Sequence, residues 1–132
     1  MTQKPVILVI EDEQPLAEAI QGSLEASGCE TVVTRSFTQA VDYLQSLKHI
    51  DAIWLDHYLF GKENGIDFLV RLRADQRWVG TPVFVVTNTG GYDKKQAYLE
   101  LGATRYFVKS DHTLREIIEA IKLAVLNQGT HD

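Results

Sequence analysis

The sequence predicts an open α/β domain, a sheet of five parallel strands covered by helices on both faces. Three observations predict it. Short strand-like runs recur five times, at 6–10, 30–34, 50–55, 83–87 and 104–108. Those at 6–10 and 83–87 are continuously apolar or β-branched, as strands buried on both faces are. Between them lie segments with apolar residues at helical spacing, and helical crossovers imply parallel pairing with right-handed connections.

Taken in order, Val6-Ile7-Leu8-Val9-Ile10 is the first strand and ends on Glu11-Asp12-Glu13. Gln14-Pro15 opens a helix, with Pro15 suited to its first turn. Leu16, Ala19, Ile20 and Leu24 form its inner stripe, and Ser27-Gly28 closes it. The second strand carries Val32 and Val33. Ser36 is placed to cap a helix with Phe37, Ala40, Val41, Leu44 and Leu47 on one face. The third strand runs through Ile53-Trp54-Leu55 to Asp56, and a loop with Gly61 and Gly65 leads to a helix expected over 66–77. Val83-Phe84-Val85-Val86-Thr87 is the fourth strand, followed by Asn88-Thr89-Gly90-Gly91. The helix expected over 92–101 has few apolar positions, and Gly102 ends it. The fifth strand has Lys109 at its tip. Thr113-x-x-Glu116 is a capping-box pattern before the last helix, whose stripe is Leu114, Ile117, Ile118, Ile121 and Val125.

The 132 residues suit one domain, expected over 1–132, with a core over about 5–127 and a frayed tail at 128–132. Thirteen Lys and Arg stand against 18 Asp and Glu, a formal net charge of −5. That argues against direct nucleic-acid binding, which leans on cationic contacts to phosphates. The single cysteine, Cys29, cannot close an intrachain disulfide and reads as a small apolar filler. No apolar run approaches the ~20 residues that span a bilayer. The chain therefore reads as cytoplasmic, without membrane insertion.

Ligands of open α/β sheets bind beyond the C-terminal strand ends, where the strand order reverses. Those ends carry Glu11 and Asp12, Asp56, Thr87 and Lys109. Three carboxylates at one edge repel each other unless a cation joins them. A hard divalent ion, Mg²⁺ above all, suits such oxygen donors and keeps positions for phosphate oxygens. A lysine and a hydroxyl complete what a transferring phosphoryl group requires, and an aspartate can act as its nucleophile. Asp56 is the expected nucleophile. Trp54 reads as core beside the site, and the His57 side chain is expected to point off the site edge.

These residues also carry a resemblance. The segments ILVIEDEQP, IWLD, VFVVTN and GATRYFVKS, in that order and spacing, resemble the receiver domains of the response-regulator (CheY-like) family from Ile7 to about Leu126. The resemblance implies strand order 2-1-3-4-5 with five helices. It implies that Asp56 accepts a phosphoryl group from a phosphohistidine of a sensor kinase or phosphotransfer protein. Asp12, Glu11 (largely through water), Asp56 and the backbone carbonyl of Tyr58 would hold Mg²⁺. Thr87, Asn88 and Lys109 would contact the phosphoryl group, and Thr87 with Tyr106 would form the switch. The domain would catalyse its own loading and unloading, and is better described as a switch than as an enzyme. A stand-alone regulator is expected, acting on a downstream protein the sequence does not identify, and a phosphorylation-dependent dimer fits the same reading.

The chain departs from the family pattern at four points. Phe60 stands where Pro is usual, the loop before Gly65 is one residue longer, Asn88 replaces a small residue, and Ser110 replaces a Pro that follows a cis bond. A cis Lys109–Ser110 bond is still expected, so that Lys109 points into the site, although without Pro it costs about 2.5–4 kcal/mol. These departures keep a second reading open, a phosphorylation-independent module that binds partners. A phosphatase on a related fold is disfavoured, because Tyr58 stands where such enzymes place a second Asp. A flavodoxin-like cofactor protein is disfavoured by the acidic loop after the first strand, which would repel a phosphate.

Overall fold

A computed structural model describes residues 3–88 and 90–128; the last part of the expected frayed tail, 129–132, lies outside them. Strands and helices alternate as the sequence predicts. They are β1 (Val6–Ile10), α1 (Gln14–Ala26), β2 (Glu30–Thr34), α2 (Phe37–Ser46), β3 (Ala52–Leu55), α3 (Gly65–Arg73), β4 (Val83–Thr87), α4 (Tyr92–Glu100), β5 (Arg105–Val108) and α5 (Leu114–Gln128). The sheet runs β2-β1-β3-β4-β5 and every pair is parallel. The order reverses between β1 and β3, which puts the ligand crevice at their C-terminal ends.

Strand alternation divides the core into two layers. Leu8, Ile10, Ile53, Leu55, Val83 and Val85 face Ala40 and Leu44 of α2 and Phe68, Leu69 and Leu72 of α3. Ile7, Val9, Trp54, Phe84 and Val86 face Ile20 and Leu24 of α1 and Ile117, Ile118 and Ile121 of α5. Each such side chain contributes about 1.5–3 kcal/mol of burial, so the sheet is the rigid part of the molecule. α4 is different. Its one buried residue is Tyr98, and its N-cap is Gly91 at φ 134°, with no side-chain cap. An element with so little buried apolar surface sits at the low end of local stability.

Local chemistry explains the ends. Ser36 Oγ accepts from the Gln39 N–H at 3.1 Å and starts α2. Asn64 and Asp67 form a reciprocal capping box at the start of α3, so the helix after the Asp56 loop has a fixed origin. Thr113 and Glu116 form the capping box expected before α5. β3 begins at Ala52 rather than residue 50, because Asp51 spends its carboxylate on the Val6 N–H at 2.7 Å. α3 stops at Arg73, short of the expected 77. Asp75 Oδ1 takes the Arg77 N–H at 2.9 Å, a local turn that competes with the helix.

The Lys109–Ser110 bond is trans, correcting the expected cis bond; no cis peptide occurs among the described residues. Without a proline the trans form is strongly preferred. The chain instead makes a short 3-10 turn over Lys109–Asp111, from which the lysine still reaches the sheet edge.

Arg73 organises the opposite edge of the sheet. Its guanidinium donates to Trp78 O at 3.3 Å, Thr81 O at 2.9 Å and Gly102 O at 2.7 Å. The end of α3, the start of β4 and the α4–β5 turn are thereby joined. Gly102 has φ 93°, and a Cβ there would stand 3.0 Å from Arg73 Nε.

Candidate functional site

Backbone pairing continues one residue past β1 and β3. The Glu11 N–H donates to Thr34 O and the Asp56 N–H to Ile10 O, each at 3.0 Å. Both carboxylates are thereby set at the C-terminal edge, and both residues are buried, at 1% and 5% exposure. Glu11 Oε1 accepts from Trp54 Nε1 at 3.2 Å, while Oε2 accepts from the Glu13 N–H at 3.2 Å. Trp54 is thus core and in direct contact with the site. Asp56 Oδ1 accepts a long bond, 3.4 Å, from the Tyr58 N–H.

Among the described residues, one cation serves this group. Lys109 Nζ lies 3.1 Å from Glu11 Oε2, 3.3 Å from Asp56 Oδ2 and 2.9 Å from Glu13 Oε2. Burial alone would lower the Lys109 ammonium, but the Glu13 hydrogen bond and the Asp56 and Glu11 charges outweigh it and hold it above its usual range. Burial, then the Asp56 charge, push Glu11 up to about 7 against the opposing pull of Lys109.

This shift sets a pH dependence. Between the ordinary value of 4.5 and about 7, the folded domain holds a proton on Glu11 that the unfolded chain releases. Stability of the metal-free domain is therefore expected to fall as pH rises across that window, and Glu11→Gln is expected to flatten the dependence. Urea unfolding at a series of pH values checks it; a Glu11→Gln profile parallel to wild type contradicts it.

Thr87 ends β4 beside β3. Its Oγ1 is buried and has no hydrogen-bond partner among the described residues. A buried hydroxyl left unpaired is costly, and an acceptor arriving at the site relieves it. Asn88 follows, exposed to solvent. Tyr106 on β5 is half-buried, and burial, then Tyr58 and Asp56, raise its phenol.

The Asp12 side chain points elsewhere. Its Oδ1 accepts from Arg35 Nε at 3.3 Å and Nη2 at 3.2 Å, and the guanidinium lies 4.9 Å from the exposed Phe60 ring. Among the described residues, no three acidic, histidine or cysteine side chains stand together as a metal-binding group. The Tyr58 ring is exposed, with Lys94 Nζ 5.1 Å from its centre.

The His57 side chain points away from the carboxylates, as strand alternation predicts. Its Nδ1 is 2.6 Å from Tyr98 Oη. Burial, then the Lys94 charge, lower the imidazole, so it is neutral near pH 7. Burial raises the Tyr98 phenol far above its usual range. A protonated phenol donating to Nδ1 satisfies both groups and leaves the ring proton on Nε2.

Of the predicted site residues, the fold gathers Glu11, Asp56 and Lys109 in direct contact and places Thr87 on the next strand tip. Three contacts were missed from sequence: Glu13 on Lys109, Arg35 on Asp12, and Tyr98 on His57. Glu13 lay in the acidic run already singled out. Arg35 and Tyr98 had no local signal, since their partners are 23 and 41 residues away.

The model of the response regulator receiver domain family matches residues 7–122. The phosphate regulon transcriptional regulatory protein PhoB of Pseudomonas aeruginosa is 33% identical over 126 residues, covering 96% of this chain and 54% of that protein. The chain spans about half the length of the curated relatives it matches. Among solved structures, the Francisella response regulator 1452 receiver domain has a TM-score of 0.84 at 23% identity, covering 95% of this chain and 99% of that one. The Mn²⁺-bound form of response regulator Rcp1 has a TM-score of 0.76 at 25% identity, covering 89% of each chain. The chain belongs to the response regulator receiver domain family, the phosphorylation-based switches of two-component signalling. No helix among the described residues is long and apolar enough to cross a membrane.

Proposed function

We propose that this domain accepts a phosphoryl group on Asp56 from a phosphohistidine of a sensor kinase or phosphotransfer protein in the cytoplasm. The observation that carries the reading is the buried Asp56 carboxylate in contact with Lys109, with the Thr87 hydroxyl on the next strand tip buried and, among the described residues, unpaired. In the transfer, a bond forms between an Asp56 Oδ and phosphorus as the phosphorus–nitrogen bond to the donor imidazole breaks. The imidazole leaves with a proton. Lys109 offsets the negative charge on the phosphoryl oxygens, and Thr87 Oγ1 donates a hydrogen bond to one of them.

The donor set fits a hard divalent cation. Glu11 and Asp56 are buried oxygen donors with, among the described residues, only Lys109 to offset them. That response regulator Rcp1, a structural relative, has a Mn²⁺-bound form supports a divalent ion in this domain. Glu11, Asp56, the Tyr58 carbonyl and, once released from Arg35, Asp12 would hold Mg²⁺. Bound there, it would draw off charge from the phosphoryl oxygens. The loaded state biases a partner-binding face of α4, β5 and α5 through Thr87 and Tyr106, and hydrolysis of the acyl phosphate resets it.

Wild type incubated with Mg²⁺ and acetyl phosphate is expected to gain one phosphoryl group by intact mass, and Asp56→Ala none. Equal gain by Asp56→Ala overturns the assignment. No gain by wild type favours the phosphorylation-independent partner-binding module, toward which the Arg35–Asp12 pair already leans.

A further inference from the structure

Tyr98 is the only buried residue of α4 and touches two parts of the site. Its Oη is hydrogen-bonded to Nδ1 of His57, the residue that follows Asp56. A Cβ built on Gly65 would collide with that same oxygen and stand 2.8 Å from Asp56 O, so the tip of Tyr98 and the acceptor's own backbone both border the space that Gly65 leaves open. Its ring stands 5.7 Å from the Tyr106 ring, tilted by 45°. α4 has no other buried anchor and no side-chain cap. The buried contact between this helix and the acceptor loop therefore runs through this one side chain and its hydrogen bond.

We propose that Tyr98 and His57 form a strut between α4 and the acceptor loop that holds α4 in its unloaded position and opposes the loading of Asp56. Both are positioning residues, and the proposal rests on Asp56 as the acceptor. The strut reaches α4 from the backbone that follows Asp56, through His57, a route additional to the one through Thr87 and Tyr106, whose ring neighbours that of Tyr98. A ligand or modification shifts a two-state element only as far as it favours one state. Removing a bond made in the unloaded state therefore favours the loaded one.

The test uses Tyr98→Phe, which keeps the ring and removes the hydroxyl, with His57→Leu, the double variant and His57→Asn. Amide hydrogen exchange over residues 92–101 is measured in the unmodified proteins, and phosphoryl mass gain with Mg²⁺ and acetyl phosphate in all of them. Tyr98→Phe and His57→Leu are each expected to raise α4 exchange and loading rate by about 2- to 13-fold, the equilibrium worth of one net hydrogen bond. The double variant is expected to exceed neither, because both substitutions remove the same contact. His57→Asn, whose Oδ1 takes the place of Nδ1 as acceptor, is expected to return toward wild type.

The strut is overturned if Tyr98→Phe changes neither readout, if the two effects multiply, or if exchange rises while loading does not. It is also overturned if β1 and β3 amides lose protection by the same factor as α4, since the effect is then global. A wild type that gains no phosphoryl mass overturns the acceptor reading instead. A wild type that loads at the rate of the variants overturns the strut alone.

Discussion

Lys109→Ala is expected to slow phosphoryl gain at Asp56 by about 10²–10³-fold, the usual loss when one preorganised charge-stabilising group is removed. Lys109 is the sole cation in contact with Glu11 and Asp56 among the described residues, and its side chain is only 12% exposed. Water replaces it poorly in so closed a position. The metal-free variant is also expected to lose about 1–3 kcal/mol of stability above neutrality, the penalty for leaving a buried polar group unpaired. The loss should shrink as pH falls, because Glu11 then takes up the proton that its burial already favours. Added Mg²⁺ should restore stability further than it restores rate, since it can offset the carboxylates but cannot take the place of Nζ beside the incoming group. Time courses of intact mass, with urea unfolding in the presence and absence of Mg²⁺, check both parts. Wild-type loading by the variant would remove Lys109 from the chemistry.

Gly65→Val has the next largest expected effect, and it acts through backbone. A Cβ at residue 65 would meet Tyr98 Oη, Asp56 O at 2.8 Å and His57 Cα at 3.1 Å. The phenol could swing aside, but the two main-chain atoms belong to the acceptor loop. They move only if Asp56 moves. A loss of about 1–3 kcal/mol is expected in urea unfolding, typical of forcing volume into a filled site. Gly22→Ala, in α1 with nothing within 4 Å of its Cβ position, is expected to gain about 0.5–1 kcal/mol in the same experiment. Equal effects at the two glycines would mean that the contact at Gly65 is not limiting.

Much of the fold was readable because burial on both faces leaves continuous apolar runs, and each run here ends abruptly on a polar residue. Val6–Ile10 into Glu11 and Val83–Thr87 into Asn88 mark the functional edge without any coordinates. Crossover handedness and the family resemblance supplied the order. The Lys109–Ser110 bond was misjudged because the resemblance was carried past the residue that justified it: the family's cis bond depends on Pro, and this chain has Ser110. Asp12 reads as part of an acidic trio, yet its carboxylate pairs with Arg35 on the next strand's exit, a pairing set by sheet packing. Tyr98 was hidden for the opposite reason. One aromatic in a polar helix contributes little to any periodicity, and its importance comes from the reach of its hydroxyl across to His57.

The Arg73 clamp bears on how far α4 can travel. The guanidinium grips the Gly102 carbonyl just past the helix's C-terminal end, while the N-terminal end follows Gly90-Gly91 next to Thr87. The helix is therefore clamped just past its C-terminal end, while its N-terminal end has no side-chain cap. At about 1.5 Å per residue it is a lever roughly 13 Å long, so a tilt of about 10° sweeps its free tip by only ~2 Å. Loosening the clamp, as in Arg73→Ala, would turn that swing into a slide and blunt whatever a partner reads from the helix's angle.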